Sequence, residues 1–456
     1  MPPAAREHPS SPPGWLAILS LMTAVWLSSL DQSIANTALP AIGAALQHSP
    51  AESVWILHAY QLAVVATLLP FAALGDVWGA RRVFMVGVAL FNLAAIGSAL
   101  APSLEWLALS RAIQGIGASG LMSVNLALVR QIFPSHRLGQ GVGLNAFIVG
   151  SGYSLGPVVA SLLLSVAPWP WLFGCMVPMG ILGWLLGWRF LPHAPPASLT
   201  SQQQPYDLTL ALLSAVCFAS LIVCLSAVAQ QKGVEVLGTA FIVMLLSGYA
   251  LLRRQRGHTA PMLPVDLLRR PLFSLSVFTA ICSFTTQGLA YVALPFFFLH
   301  DLQLSAVTCG TLMTVWAGVV ALAAPLAGRL SDRYPPAIMG GVGLCMLSVG
   351  MVWLSQITPG TSTTLIGVGM ALCGIGFGLF QSPNLRAIMS SSPPERSSGA
   401  SGMVALARLI GQASGAALVA LCFNLFAPVG AGQAILLGAF MAGLGGILSV
   451  SRLWAR

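Results

Sequence analysis

Fourteen stretches of this chain are apolar for long enough to cross a lipid bilayer, and that succession decides what it can fold into. They run over 14–38, 53–74, 82–102, 104–128, 139–167, 171–191, 207–229, 235–253, 271–299, 304–328, 337–356, 363–385, 398–425 and 431–451. About 20 helical residues span a hydrocarbon layer about 30 Å thick. Within that layer every backbone N–H and C=O has to be satisfied inside the protein, so a segment of this length reads as a helix. Only 7% of the residues are charged and 57% are hydrophobic, whereas a soluble domain is about 25% charged. The expected fold is an all-α polytopic membrane protein, with the lipid bilayer as its partner. The opening MPPAAREHPSSPPG holds one Arg and no small-residue cleavage site behind a short apolar core, so the span from Trp15 reads as retained.

Charge placement orients the chain. The formal net charge of +9 invites a nucleic-acid reading, but Arg81, Arg82, Arg130, Arg137, Arg189, Arg333, Arg396, Arg456 and the other basic residues gather in alternate loops, and only Lys232 lies clearly on the opposite side. Basic loops stay in the cytoplasm, so both termini are expected there and no nucleic-acid partner is expected. The eight cysteines show neither CxxC nor His-Cys spacing; they read as small buried hydrophobes rather than as metal ligands or a disulfide framework. No GxSxG, HExxH or P-loop sequence occurs, so neither an enzyme nor an ATP-driven pump is expected, and no cofactor.

Two segments interrupt the tight loops: the Pro/Ser/Gln run PHAPPASLTSQQQP over 192–205, and a basic connection over 253–270. Between them lie two spans with almost no polar residues. Setting that pair aside leaves six spans on each side, an arrangement of six, two and six: 1–191, 192–270 and 271–456. The two sets of six also repeat. Gln114-Gly-Ile-Gly117 matches Cys373-Gly-Ile-Gly376 at 259 residues' separation, and the same step takes Gly143, Gly152 and Gly156 onto Gly402, Gly411 and Gly415. Several glycines in one register suggest a duplicated bundle, as in many transporters.

Of eleven acidic residues, ten fall in loops or at span ends, and Asp31 alone lies inside a span. A carboxylate at bilayer depth costs about 2.5–3.5 kcal/mol on insertion scales and marks a functional site by default. Asp31 precedes Pro40 by nine residues, about 13 Å along a helix, and Arg111 stands about 10 Å inside the fourth span, so the two share a depth. Desolvation opposes the charge on such an acid and a neighbouring guanidinium favours it; its proton affinity then depends on whether water or substrate stands near. The plainer alternative is an ion pair that ties two helices. Gln114 shares the Arg111 face at i+3 and is placed to brace it. Pocket candidates among the polar residues of the spans are Asn36, Gln114, Tyr153, Gln287, Tyr291 and Gln381, with helix–helix hydrogen bonding as their alternative. Arg408 has no acid in view and reads either as pocket lining or as a side chain snorkelling to the cytoplasm.

Two loops are alike. After the second span the chain reads Ala72-Ala-Leu-Gly-Asp76-Val-Trp-Gly79-Ala-Arg81-Arg82, and after the tenth Gly328-Arg-Leu-Ser-Asp332-Arg333. An acid at such a helix end can pair with an Arg or cap the start of a neighbouring helix, a contact that one conformation makes and another breaks. The recurrence favours a gating latch over simple anchoring by charge.

These loops resemble the signature cytoplasmic loop of the major facilitator superfamily, GxxxDRxGRR in outline, with Ala72, Val77 and Ala80 as departures. Leu30-Asp31-Gln-Ser-Ile-Ala-Asn36-Thr-Ala-Leu-Pro40 resembles the first-span LDxTIVNxALP of its fourteen-helix drug:proton antiporters, the EmrB/QacA type. Arg111-Ala-Ile-Gln114-Gly-Ile-Gly117 resembles RxxQGxG, and Gly152-Tyr-Ser-Leu-Gly156-Pro157 resembles the exporter motif GxxxGPxxGG. The resemblance implies two six-helix bundles with two further central helices, in a bacterial inner membrane. It implies proton-coupled efflux of amphiphilic or cationic drugs by alternating access, or export of one endogenous metabolite or siderophore. Asp31 and Arg111 then couple the proton, Gly152, Gly156 and Pro157 form the surface that closes between the bundles, and Asp76, Gly79, Arg81, Arg82, Gly328, Asp332 and Arg333 form the gate. The partners implied are the small-molecule substrate and protons, with a periplasmic adaptor left open.

Overall fold

Helix follows the apolar runs closely in the computed structural model of the protein, which describes residues 14–48, 53, 55–192, 206–229, 233–256, 261, 263–426 and 430–454. The long helices are α1 (Trp15–Ala45), α2 (Trp55–Trp78), α3 (Ala80–Ala99), α4 (Leu104–Ile132), α5 (Leu138–Val166), α6 (Val177–Phe190), α7 (Leu208–Ala229), α8 (Val234–Arg254), α9 (Pro271–Phe296), α10 (Ala306–Ser331), α11 (Pro336–Ser355), α12 (Thr363–Ser391), α13 (Ser397–Leu425) and α14 (Gly430–Ser451). The short helix Trp171–Gly174 completes the span of α6. Most of the expected linker, Lys232 and Arg456 lie outside the described residues.

Two helices differ from simple straight spans. α1 continues as helix through Pro40 to Ala45, while its membrane-crossing stretch, Trp15–Leu39, ends beside the proline as expected. α5 bends by 40° between Leu138–Gly156 and Val158–Val166, and with its two arms counted together it makes the fourteenth membrane-crossing element. The bend falls at Pro157, whose side chain lies outside the described residues; a proline lacks the N–H that would bond one turn back.

Packing repeats between the halves. α1 lies on α5, α2 and α3 on α4, and α6 on α1 and α3; likewise α9 lies on α13, α10 and α11 on α12, and α14 on α9 and α11. The halves meet crosswise, α5 on α10 and α13 on α2 and α4. The glycines that repeat in sequence serve matching crossings. A Cβ on Gly117 would stand 2.5 Å from the backbone nitrogen of Phe91, and one on Gly376 would stand 2.6 Å from that of Leu347, so in both halves only glycine lets these backbones approach so closely.

α7 and α8 form a hairpin whose α7 lies on α2 and α13. Asp207 starts α7 by accepting the N–H of Thr209 at 2.8 Å and of Leu210 at 3.2 Å, and it binds Arg254 Nε of α8 at 2.9 Å. The hydrogen-bonded Arg254 guanidinium holds the Asp207 carboxyl below the usual carboxylate range. The end of the molecule that carries this pair, Arg81, Arg130, Arg333 and Arg396 is called the basic end below.

Candidate functional site

Asp31 stands midway along α1, and α4 brings Arg111 and Gln114 to it from one helix face. Arg111 Nη1 donates to both carboxylate oxygens, at 2.9 and 2.7 Å, and to Gln114 Oε1 at 2.7 Å; Gln114 Nε2 donates to Asp31 Oδ1 at 3.0 Å. All three side chains are buried, Asp31 completely. The guanidinium is stacked 4.4 Å from the Tyr60 ring centroid and 5.5 Å from that of Phe173, which places a cation on aromatic faces inside the fold. The sequence expectation of a pair at equal depth, braced by Gln114, matches this geometry.

The polar chain continues from the next residues of α1. Gln32 Nε2 donates to the Tyr60 hydroxyl at 3.3 Å, the Tyr153 hydroxyl of α5 donates to Gln32 Oε1, and Ser33 Oγ donates to the Tyr153 carbonyl at 2.7 Å. A carboxylate group on α1 is thereby connected to α4 by direct bonds and to α5 by its neighbours. Gln32 and Ser33 were absent from the sequence-derived candidates; their adjacency to Asp31 was the available signal.

At the basic end the two similar loops make reciprocal contacts. Asp76, in the last turn of α2, accepts the backbone N–H of Ser398 at 3.0 Å and of Gly399 at 3.2 Å in the first turn of α13. Asp332, just past α10, accepts the N–H of Gly139 in the first turn of α5 at 3.1 Å. Each acid meets helix-start N–H groups that have no partner within their own helix and the positive end of the helix dipole. The basic partners come from elsewhere than the motifs: Arg396 lies 3.4 Å from Asp76 and Arg386 lies 3.4 Å from Asp332. Arg81 donates instead to the Trp188 carbonyl, Arg82 and Arg333 are exposed, and Gly79 takes φ +91° where α3 begins. Arg396 also holds both oxygens of Asp266 at 3.0 Å. No sequence spacing connects residues 76, 266 and 396, so this cluster was not legible in advance.

The closing surface between the halves also differs from expectation. Gly152 and Gly156 pack on α1 of their own bundle, against Trp26, Ser29 and Ser33, whereas Gly139 and Gly143 meet Gly328 across the bundles, where a Cβ on Gly143 would be 3.2 Å from the Gly328 Cα. Nine residues separate Gly143 from Gly152, two and a half turns, so the two pairs face opposite sides of α5.

Between the bundles lies a small central cavity of about 60 Å³, far below the 300–1,000 Å³ of a ligand pocket. Its lining obeys the internal repeat: Leu126 with Leu385, Ala146 with Ala405, Met122 with Gln381 and Val149 with Arg408 are each 259 residues apart. Of the six sequence-derived pocket residues, Gln381 lines it. Gln114 is enclosed beside Asp31, Tyr153 is bound to Gln32, Gln287 accepts a bond from Gln412 at 2.9 Å, Tyr291 packs edge-on to Trp316, and Asn36 is exposed toward the far end of α1. Asn125 and Asn145, joined by a 2.7 Å hydrogen bond, and Arg408 line the cavity as well.

The sequence profile described as Major Facilitator Superfamily matches residues 21–416. The chain belongs to that superfamily. It is a multi-pass membrane transporter protein by family, and the reciprocal bundles are the fold of that family. The chain is 43% identical to the uncharacterized transporter YebQ of Escherichia coli K12, over 99% of this chain and 98% of that one. It is 29% identical to the riboflavin transporter RibZ of Clostridioides difficile, over 88% and 87%, and 29% identical to the multidrug resistance protein Stp of Mycobacterium tuberculosis, over 89% and 75%. Two relatives at equal identity thus carry differently named cargo. Among the described residues no group of His, Cys, Asp or Glu is arranged to hold a metal ion.

Proposed function

We propose that this transporter exports amphiphilic small molecules across a bacterial inner membrane in exchange for protons, with 1–191 and 271–456 as the two moving bundles, 192–270 as an insertion, and the basic end in the cytoplasm. The observation that supports this most directly is the buried Asp31, whose two oxygens are satisfied entirely by Arg111 and Gln114. A proton arriving on Asp31 discharges the carboxylate, removes the attraction that Arg111 feels and leaves α1 less tightly joined to α4. Loss of the proton restores the pair. Because Gln32 and Ser33 tie the same turn of α1 to α5, and α5 crosses to α10, a change of charge at Asp31 bears on the contact between the bundles. The described conformation is shut at the basic end, by Asp76 on α13 and Asp332 on α5. In this reading it is the state closed to the cytoplasm.

Asp31→Asn holds the site permanently in a neutral form. Efflux of an amphiphilic dye driven by an imposed pH gradient in everted vesicles is expected to vanish, with the variant still present and folded; efflux at the normal rate would sink the proton role of Asp31. The likeness to RibZ, a relative named for a single cargo, supports a second reading, in which this chain serves one metabolite, with export as the direction proposed above. Susceptibility of a deletion strain to a broad set of drugs separates the two: hypersensitivity to several unrelated compounds supports the first, and an unchanged profile supports the second.

A further inference from the structure

The central cavity carries one charge that no carboxylate of the described residues balances. Its lining holds no carboxylate, and the single ionic group on it is the half-buried Arg408 of α13. The polar contact that Arg408 makes is a long one, Nη2 to Met122 Sδ at 3.9 Å, and no carboxylate of the described residues pairs with it. Asp31 does not serve: it is completely buried on α1 with its oxygens held by Arg111 and Gln114, a closed pair of no net charge. The field that a molecule meets on entering is therefore that of one surplus cation at low dielectric, where a charge interaction is several times stronger than in water.

A guanidinium holds five N–H donors in a planar fork and is matched bidentately by a carboxylate or a related oxyanion. The surroundings of Arg408 supply what the rest of such a ligand needs. The Asn125–Asn145 amide pair and the Gln381 amide offer further polar contacts, and Val25, Phe284 and Val404 give the cavity an apolar wall. The repeat makes the asymmetry plain. Arg408 stands where the first bundle has Val149, and Gln381 where it has Met122; conversely Met370 and Cys373 stand where the first bundle has Arg111 and Gln114. A duplicated scaffold has thus kept its proton-binding group on one half and an unpaired cation on the other.

We infer that the central cavity, narrow at about 60 Å³ in the described conformation and widened as the bundles part, takes an amphiphile with a single anionic group, a carboxylate or equivalent oxyanion, and that Arg408 binds that group as its counter-ion. The inference rests on the exporter reading above and narrows it: monoanionic amphiphiles are the favoured cargo, and cations are repelled. It also separates two tasks, the proton being read by the first bundle and the charge of the cargo by the second.

The test uses the full-length protein in detergent and in proteoliposomes, with benzoate and 2-naphthoate as probes, each beside its neutral amide and its cationic aminomethyl counterpart. Equilibrium binding to wild type is expected to favour the carboxylates over the cations by tenfold or more. Arg408→Gln is expected to erase that preference while leaving amide binding within twofold and the thermal unfolding midpoint unchanged, and Arg408→Lys to restore part of it. Equal binding of carboxylate and cation by wild type, or a preference that survives Arg408→Gln, overturns the inference. The transport arm decides the other reading separately. Carboxylate preference in binding with no pH-driven movement of any probe in proteoliposomes counts against proton-coupled export and leaves the role of Arg408 standing, whereas pH-driven movement without preference counts against Arg408 alone.

Discussion

A carboxylate and a guanidinium enclosed together inside a membrane protein are worth little as net stability and much as mutual dependence. Removing one partner of such a pair costs about 3–5 kcal/mol, because the other charge is left buried without compensation. Arg111→Ala is therefore expected to lower the unfolding free energy in detergent by that order, while the double variant Arg111→Ala with Asp31→Asn recovers most of the loss; equal instability of the single and double variants would show that packing on Tyr60 and Phe173, rather than charge, holds Arg111. The pair itself was legible from sequence because charges inside apolar runs are few, so depth along two helices suffices to match them. What depth cannot reveal is azimuth. That is why Asn36, an exposed residue, and Arg408, a cavity residue, looked alike as polar positions in apolar spans, and why Gln381 was the one of six pocket candidates found on the cavity wall.

Helix ends carry the contacts that hold the described conformation. An acid that caps a helix start contributes about 1 kcal/mol, a factor of about five in an equilibrium constant. Asp76→Ala and Asp332→Ala are each expected to shift the transporter toward a state open at the basic end by about that factor, and together by about 25-fold if the two sites act independently. The reading is the alkylation rate, by an impermeant reagent applied to everted vesicles, of a cysteine placed at Val404 on the cavity wall in a background lacking the eight native cysteines. Rates that do not change would mean that these acids anchor the loops without gating anything. The acids were visible in the sequence by their recurrence at two helix ends. Their partners were not, since Ser398, Gly399 and Gly139 contribute backbone N–H groups, which any residue but proline has, and Arg396 is brought in where the start of α13 meets α2 and Arg386 where α12 packs on α10. The same limit misassigned Gly152 and Gly156: a glycine pair announces a close crossing but not which neighbour is crossed.

Over the whole molecule, hydropathy was nearly sufficient. Among the described residues thirteen helices are long and apolar enough to cross a membrane, fourteen elements with the two arms of α5 counted together, and differences from the apolar runs lie at helix ends, such as the run of α1 past Pro40 to Ala45. The 259-residue step foretold a duplicated packing scheme, because a repeated bundle has to repeat its close backbone approaches. The gathering of arginines at one end predicts that this end faces the cytoplasm. Fusions of a fluorescent protein and of alkaline phosphatase after Arg456 are expected to be active and inactive respectively, with the opposite result for fusions at Lys232; a reversal would place the basic end outside and turn the proposed exporter into an importer. The reciprocity of the two caps has a further consequence. Each bundle supplies one acid and one helix start, so neither crossing can part freely while the other holds, and opening at this end is a concerted rupture at two points. In the proposed cycle the pace is then set by loops that lie away from the central cavity. Substitutions there should quicken or slow the movement of every substrate alike, whereas those around Arg408 should alter which substrate moves.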